Sequence, residues 1–138
     1  MILMGLTTKC FFRGADEPLY TYEALHKYCL QESQDVERTK EVLEGLHRYE
    51  VYVYDQDGNV IACTYLVRYL CMHHGDVIAL AALWIDKSYR DAVSVQKAIT
   101  REVVTVCKMF GITKYQRSKH LSKTKQLIIT KEIPNGIH

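Results

Sequence analysis

The part of this chain best suited to chemistry is VIALAALWIDKSYRDAVSVQKAITREVVTVCKMF, residues 77–110. It begins as an apolar run, turns at a short polar segment around Arg90, and continues with the spacing of an amphipathic helix. A strand, a loop and a helix in this order can bind phosphate, because the first N–H groups of the helix have no partner within it. The loop has no glycine, however, and Val93 and Val95 stand where bare Cα atoms would suit a phosphate cradle.

Other reactive side chains offer weaker alternatives. His73 and His74 are adjacent, so in a strand they would point to opposite faces, and we expect them at an exposed turn rather than on a metal. The five cysteines form no C-x-x-C pair, which predicts reduced, buried thiols and no metal site. Tyr115 and His120 are the only catalytic candidates, and both are weak ones.

Charge is divided unevenly along the chain. Residues 1–60 carry eleven acidic and six basic side chains, whereas residues 61–138 carry five acidic and twelve basic ones. The basic block contains Lys119, Lys123 and Lys125, which we predict to contact an acidic partner. A solvated face is the simpler interpretation. Nucleic-acid binding is less favoured, because no recognition motif accompanies the block.

Tyrosines are concentrated in the segment EVYVYDQDGNVIACTYLVRYL, residues 50–70, which predicts a β-hairpin turning at Gly58. Since strand residues alternate between faces, some of these tyrosines should be exposed. Exposed tyrosines are typical of protein contacts, so Tyr52 and Tyr54 are predicted to bind a partner. A cleft bordered by tyrosines is the alternative.

The pattern of elements predicts an α+β (or α/β) domain spanning residues 1–138, with a mostly antiparallel central sheet flanked by helices. No apolar run approaches the roughly 20 residues of a membrane span, and the N-terminus lacks the features of a signal peptide. The reduced thiols predict a reducing cytoplasm as the location. The predicted order is β-α-α-β-β-β-α-β-β, with strands at 9–13, 50–54, 59–70, 77–85, 113–120 and 126–133 and helices at 18–31, 33–48 and 93–110.

This order, together with the Leu83–Arg90 segment LWIDKSYR and the helix end KMFGI, residues 108–112, resembles the GCN5-related N-acetyltransferase (GNAT) family. The family's loop pattern is (Gln/Arg)-x-x-Gly-x-(Gly/Ala), and its acetyl-CoA lies between the fourth and fifth strands. Here Val93 and Val95 replace both glycine positions. The family's helix with a general-acid tyrosine and its fourth-strand glutamate are also missing. The resemblance implies that any acetyl-CoA would contact Leu83, Trp84, Ile85, Arg90, Val93, Ser94, Val95 and Gln96.

The resemblance therefore implies a GNAT fold with a degenerate cofactor loop and a non-catalytic, structural or interaction role. Acetyltransferase-like proteins of this size occur in tailed-phage particles, so the expected setting is a phage virion or the host cytoplasm. A homo-oligomer and an adaptor that binds a host protein remain open. The alternative is an acetyl-CoA-dependent N-acetyltransferase acting on a primary amine, in which case the pocket survives and acetyl-CoA is the cofactor.

Overall fold

The fold is an α+β arrangement of six strands and three helices, as predicted. A computed structural model describes residues 5–120, 122 and 124–133. The strands are β1 (Thr7–Arg13), β2 (Arg48–Tyr54), β3 (Val60–Cys71), β4 (Gly75–Ile85), β5 (Lys114–His120) and β6 (Gln126–Glu132). The helices are α1 (Glu23–Glu32), α2 (Val36–Glu44) and α3 (Val93–Met109), and a 3-10 turn at Lys87–Tyr89 precedes α3.

The six strands form one sheet in the order β1-β2-β3-β4-β5-β6. Neighbouring strands are antiparallel except β4 and β5, which are parallel because α3 returns the chain across the sheet. The sheet separates two apolar clusters. One contains the buried face of α3, and the other contains the buried residues of α1 and α2.

Three predicted helix boundaries are wrong by three residues or more. Helix α1 begins at Glu23 rather than at residue 18, because the amides of Leu19 and Tyr20 donate to the carboxylates of Glu44 and Glu50, 2.9 Å away in each case. These bonds fix the preceding segment outside the helix.

Helix α2 ends at Glu44 rather than near residue 48, because Arg48 is the first residue of β2 and is buried in the sheet. The helix begins at Val36 rather than at residue 33, because the Asp35 side chain caps it by accepting from the amides of Glu37 and Arg38.

The predicted turns are present at Gly58 and Gly75, which have φ values of 83° and 74°. Gly111 ends α3 with φ at 66°, the left-handed conformation expected of a residue that follows a helix. Five residues, 121–125, connect β5 and β6, whose antiparallel pairing confirms the predicted closing hairpin. Among the described residues, no helix is long and apolar enough to cross a membrane.

Candidate functional site

The candidate site is a wedge-shaped gap between β4 and β5. These strands pair only at Ile78, Ala79 and Leu80, opposite residues 115–117, although β4 continues to Ile85 and β5 to His120. The β3–β4 register shifts where Tyr65 pairs with Ala82 and Leu66 with Leu80, so Ala81 is an extra residue in β4. Such a bulge bends its strand and increases the twist, and it lies where β4 leaves β5.

On the α3 side, the gap opens into a cavity of about 250 Å³. Its floor is apolar, and its polar groups come from α3 and from the closing hairpin. Three predicted cofactor contacts, Leu83, Ile85 and Gln96, and the catalytic candidate Tyr115 meet there. The cavity is lined by Leu80, Leu83, Ile85, Gln96, Ile99, Thr100, Val103, Tyr115, Arg117 and Lys131.

On the opposite side of the sheet, the same gap opens into a larger groove of about 710 Å³. Leu80, Leu83 and Arg117 line both openings, so these three residues lie between the cavity and the groove. The groove contains three basic side chains and one carboxylate. Its lining comprises Tyr28, Gln31, Glu32, Leu80, Ala81, Ala82, Leu83, Arg90, Arg117, Ser118, Lys119 and Gln126.

The loop between β4 and α3 is held by its own residues. Asp86 accepts from the Ser88 amide at 3.0 Å and from the Ser88 hydroxyl at 2.7 Å, and these hydrogen bonds hold the pKa of Asp86 below its usual value. Arg90 donates to the Gln31 side chain of α1 at 2.8 Å, and the Gln96 amide donates to the Arg90 carbonyl at 2.7 Å. The Arg90 guanidinium and the Arg90 carbonyl therefore already have hydrogen-bond partners, the side chains of Gln31 and Gln96.

The two loop valines have different surroundings. Val95 is 0% exposed and packs in the α3-side core, so the expectation that its side chain projects toward a phosphate is wrong. Val93 is 60% exposed on the first residue of α3, and Ser94 is half-buried beside it. Ala92 precedes the helix and has no side chain that could cap the first-turn amides. Val93, the first residue of α3, lies next to these amides.

Trp84 lies apart from the α3-side cavity. It is 5% exposed, belongs to the core cluster beneath α1, and is covered by the Lys27 ammonium 5.3 Å from its ring. Its neighbours Leu83 and Ile85 point to the other face of β4, because side chains alternate along a strand. The predicted cofactor contacts in β4 are therefore divided between the two faces of the sheet.

The catalytic candidates are not brought together by any described contact. Tyr115 is half-buried in the cavity, and burial raises its pKa, so the phenol keeps its proton at neutral pH. His120 ends β5, and its side chain lies outside the described part of the structure. His73 and His74 are exposed at the β3–β4 turn, and no metal-binding group of His, Cys, Asp or Glu occurs among the described residues.

The predicted partner contacts are partly wrong. Tyr52 is 0% exposed, and its hydroxyl donates to Glu50 at 2.6 Å, so it belongs to the core and cannot contact a partner. Tyr54 is half-buried, with the Lys9 ammonium 5.1 Å from its ring. Lys119 and Lys125 are exposed on the closing hairpin, and the predicted contact Lys123 lies outside the described residues.

Sequence reasoning missed a buried polar cluster at the start of β2. The Arg48 guanidinium donates to Glu50 at 2.8 Å and to the Glu17 carbonyl at 2.6 Å, and both charged side chains are fully buried. This cluster joins the β1–α1 segment to the sheet. The only sequence signal was the placement of two charged residues in the otherwise apolar strand RYEVYVY.

The cysteines are free thiols, and four of the five are buried, as predicted. Burial raises the pKa of Cys63 to about 12, so this thiol stays protonated. Cys71 differs, because a hydrogen bond from the His73 amide holds its pKa below the usual value.

No protein-family model matches the sequence, and no curated protein matches it either. Solved structures do match the fold. A GNAT family acetyltransferase from Staphylococcus aureus aligns with a TM-score of 0.60 and 12% identity over 94% of this chain and 100% of that one. The 6'-N-acetyltransferase AAC(6')-Ih of Acinetobacter baumannii aligns with a TM-score of 0.58 and 13% sequence identity, over 85% of this chain and 82% of that one.

A third structure is a GNAT family acetyltransferase from Elizabethkingia anophelis with acetyl-CoA bound. It aligns with a TM-score of 0.52 and 10% identity over 85% of this chain and 68% of that one. Identities this low establish architecture and leave activity open. The chain has the fold of the GNAT acetyltransferases.

Proposed function

We propose that this protein is a non-catalytic binding module built on the acetyltransferase fold, a structural or interaction component of a larger assembly. The observation that carries the proposal is the hydrogen bonding that fastens the β4–α3 loop to its neighbouring helices. Gln96 donates to the Arg90 carbonyl and Arg90 donates to Gln31, so the loop is tied to both α3 and α1. The amides of Tyr89 and Ala92 also donate to loop carbonyls, those of Asp86 and Tyr89. A loop that cradles pyrophosphate instead directs unpaired amides and cations at the anion.

The exposed Val93 side chain supports the same proposal. It stands beside the first-turn amides of α3, where the family's loop pattern has glycine. Its two methyl groups cannot accept hydrogen bonds, and side chains on a helix lean toward its N-terminus. Binding a pyrophosphate there would require this side chain to move aside.

The contact surface that we propose is the closing hairpin, with Lys119 and Lys125 as exposed cations, together with Tyr54 at the β2–β3 turn. Its setting is the one that the resemblance implies, a tailed-phage particle. Mass spectrometry of purified particles should then find this chain at a fixed ratio to the other structural proteins. Its absence from washed particles would contradict that setting.

Calorimetric titration with acetyl-CoA tests the non-catalytic role. The proposal predicts no binding heat at about 1 mM acetyl-CoA, the concentration at which a Kd of 1 mM gives half-saturation. Micromolar binding by the unaltered protein, followed by acetylation of any amine, would overturn it.

Val93→Gly shows whether Val93 is the obstacle. We expect this variant to gain measurable affinity for acetyl-CoA if the rest of the pocket is intact. Val42→Gly is the matched control, because Val42 is 57% exposed in α2 and lies outside the gap, whereas Val93 is 60% exposed in α3. A gain in both variants would indicate a general loosening of the protein rather than an opened loop.

A second candidate function, acetyl-CoA-dependent acetylation of a primary amine, is favoured by the cavity beside α3. The β4–β5 gap leads into it, and Arg117 and Lys131 supply cations at its rim. In this reaction the neutral amine nitrogen attacks the thioester carbonyl, the C–S bond breaks so that the CoA thiolate leaves, and the nitrogen loses a proton to water. Tyr115, which burial keeps protonated, could donate the proton that the thiolate takes up. Thiol release that falls in Tyr115→Phe with acetyl-CoA binding unchanged would support this function.

A further inference from the structure

Beyond Leu80, the edge of β4 that faces β5 pairs with no strand in the described part of the chain. The Asp86 amide donates to the Ile61 carbonyl of β3 at 2.8 Å, and paired residues in an antiparallel ladder alternate between bonding each other and pointing away. The main-chain groups of Ala82 and Trp84 therefore face β3, whereas those of Leu83 and Ile85 face the gap. The Thr64 hydroxyl, which donates to the Ala82 carbonyl at 2.7 Å, agrees with this alternation.

The opposite side of the gap is also unpaired. Residues 118–120 of β5 pair with β6 but not with β4. The openings on the two faces of the sheet share Leu80, Leu83 and Arg117, which mark the point where the two strands separate. Two strand edges facing each other across an open gap form a site for an added strand.

The charges around the gap indicate which segment would fit. Arg90, Arg117 and Lys119 line the α1-side groove against the single carboxylate of Glu32. Among the described residues, no carboxylate lies within ion-pair distance of these three cations. The groove therefore favours a negatively charged occupant.

We propose that an extended acidic peptide segment of a partner protein adds a strand to β4 in this gap. Its main chain pairs with the N–H and C=O groups of Leu83 and Ile85, and its carboxylates meet Arg117 and Lys119. This inference rests on the proposed binding role and names the chemistry of the partner. Main-chain pairing provides affinity, and the cations select the charge of the segment.

Three blocked heptapeptides test the proposal with the full chain, each titrated by calorimetry and by amide NMR. The first alternates glutamate and valine, the second alternates lysine and valine, and the third is the acidic peptide with its central valine replaced by proline. Proline removes an N–H and disrupts strand pairing while leaving the charge unchanged. We expect the acidic peptide to bind at least roughly tenfold more tightly than either of the others, a difference of about 1.4 kcal/mol.

The NMR readout locates the bound peptide. The acidic peptide should slow exchange of the Leu83 and Ile85 amides and leave Ala82 and Trp84 unchanged, because the latter already face β3. Equal binding of the acidic and proline peptides, or protection elsewhere, would overturn strand addition in favour of simple charge attraction.

Charge reversal tests the recognition step. Arg117→Glu combined with Lys119→Glu should weaken the acidic peptide roughly tenfold, and raised salt should weaken it in the unaltered protein. Lys97→Glu combined with Arg101→Glu is the matched control, since both residues are exposed on α3 away from the gap lining. Equal losses in the two double variants would contradict recognition at the gap.

Different results would contradict the strand-addition proposal and the binding role on which it rests. If acetyl-CoA binds at micromolar concentration and is turned over, the binding role is wrong. If neither acetyl-CoA nor the acidic peptide binds at about 1 mM, the strand-addition proposal is wrong, and the binding role must use another surface.

Discussion

The start of β2 and the end of β4 both place polar groups inside the sheet. At the start of β2 these groups are paired, whereas at the end of β4 they are not. At the start of β2, Arg48 and Glu50 are fully buried and bonded to each other. At the end of β4, the main-chain groups of Leu83 and Ile85 face an open gap. The first region uses its polar groups to hold the fold together, whereas the second leaves them for a bound molecule.

The largest effect should come from breaking the buried ion pair. Arg48→Met leaves the Glu50 carboxylate buried without its cation, so we expect the free energy of unfolding to fall by about 3–5 kcal/mol. Arg68→Met is the control, because the Arg68–Asp76 pair has the same type of contact at 3.0 Å but is about half exposed. It should cost at most about 1 kcal/mol in urea unfolding. Similar losses in the two variants would erase the contrast between buried and exposed pairs.

A smaller effect on stability should distinguish a substitution on the buried side of α3 from one on its exposed side. Val95→Ala removes two buried methyl groups and leaves a cavity, which should cost about 2 kcal/mol. Val93→Ala alters an exposed side chain and should change stability by less than about 0.5 kcal/mol. Thermal unfolding of both variants measures the difference. Equal destabilisation would mean that the exposed Val93 is also part of the core.

Removing the hydroxyl of Tyr52 or of Tyr65 compares a hydrogen-bonded polar group with an unpaired one inside the buried region. Tyr52→Phe removes a donor from the buried Glu50 carboxylate, and we expect a loss of about 1–3 kcal/mol. The Tyr65 hydroxyl is buried close to the Tyr52 hydroxyl and the Cys63 thiol, but among the described residues it makes no hydrogen bond of good geometry. Tyr65→Phe should therefore be neutral or stabilising, because it removes an unsatisfied polar group. Equal losses in chemical denaturation would show that Tyr65 has a partner after all.

The smallest effect is the protonation of Asp86, in the loop before α3, at low pH. Hydrogen bonds from Ser88 lower the folded-state pKa of Asp86 from its ordinary value of 3.8. A lowered folded pKa adds stability above the unfolded-state value, and that stability is lost as pH falls through the folded pKa. The Ser88 amide signal in NMR should therefore shift only below about pH 4. In Asp86→Asn that titration should disappear, and its persistence would assign it to another group.

Local sequence signals predicted much of the fold. Gly58, Gly75 and Gly111 marked turns and a helix end, because a positive φ suits glycine. The apolar periodicity of α3 placed its start and nearly its end.

Long-range contacts account for what the sequence did not reveal. Helix α1 starts late because carboxylates from α2 and β2 bind the amides before it. Tyr52 was predicted to be exposed because alternation in a strand does not show that α1 and α2 cover one face and α3 the other. The family resemblance placed a site between the fourth and fifth strands, but no residue type in β4 signals the bulge at Ala81.

Amide hydrogen exchange along β4 tests most directly the claim that its end is an unpaired edge. We predict alternation, with Leu83 and Ile85 exchanging roughly a hundredfold faster than Ala82 and Trp84 in the unbound protein, since only the latter bond to β3. Slow exchange at all four amides would contradict the account, because it would mean that the gap is already filled by the protein itself.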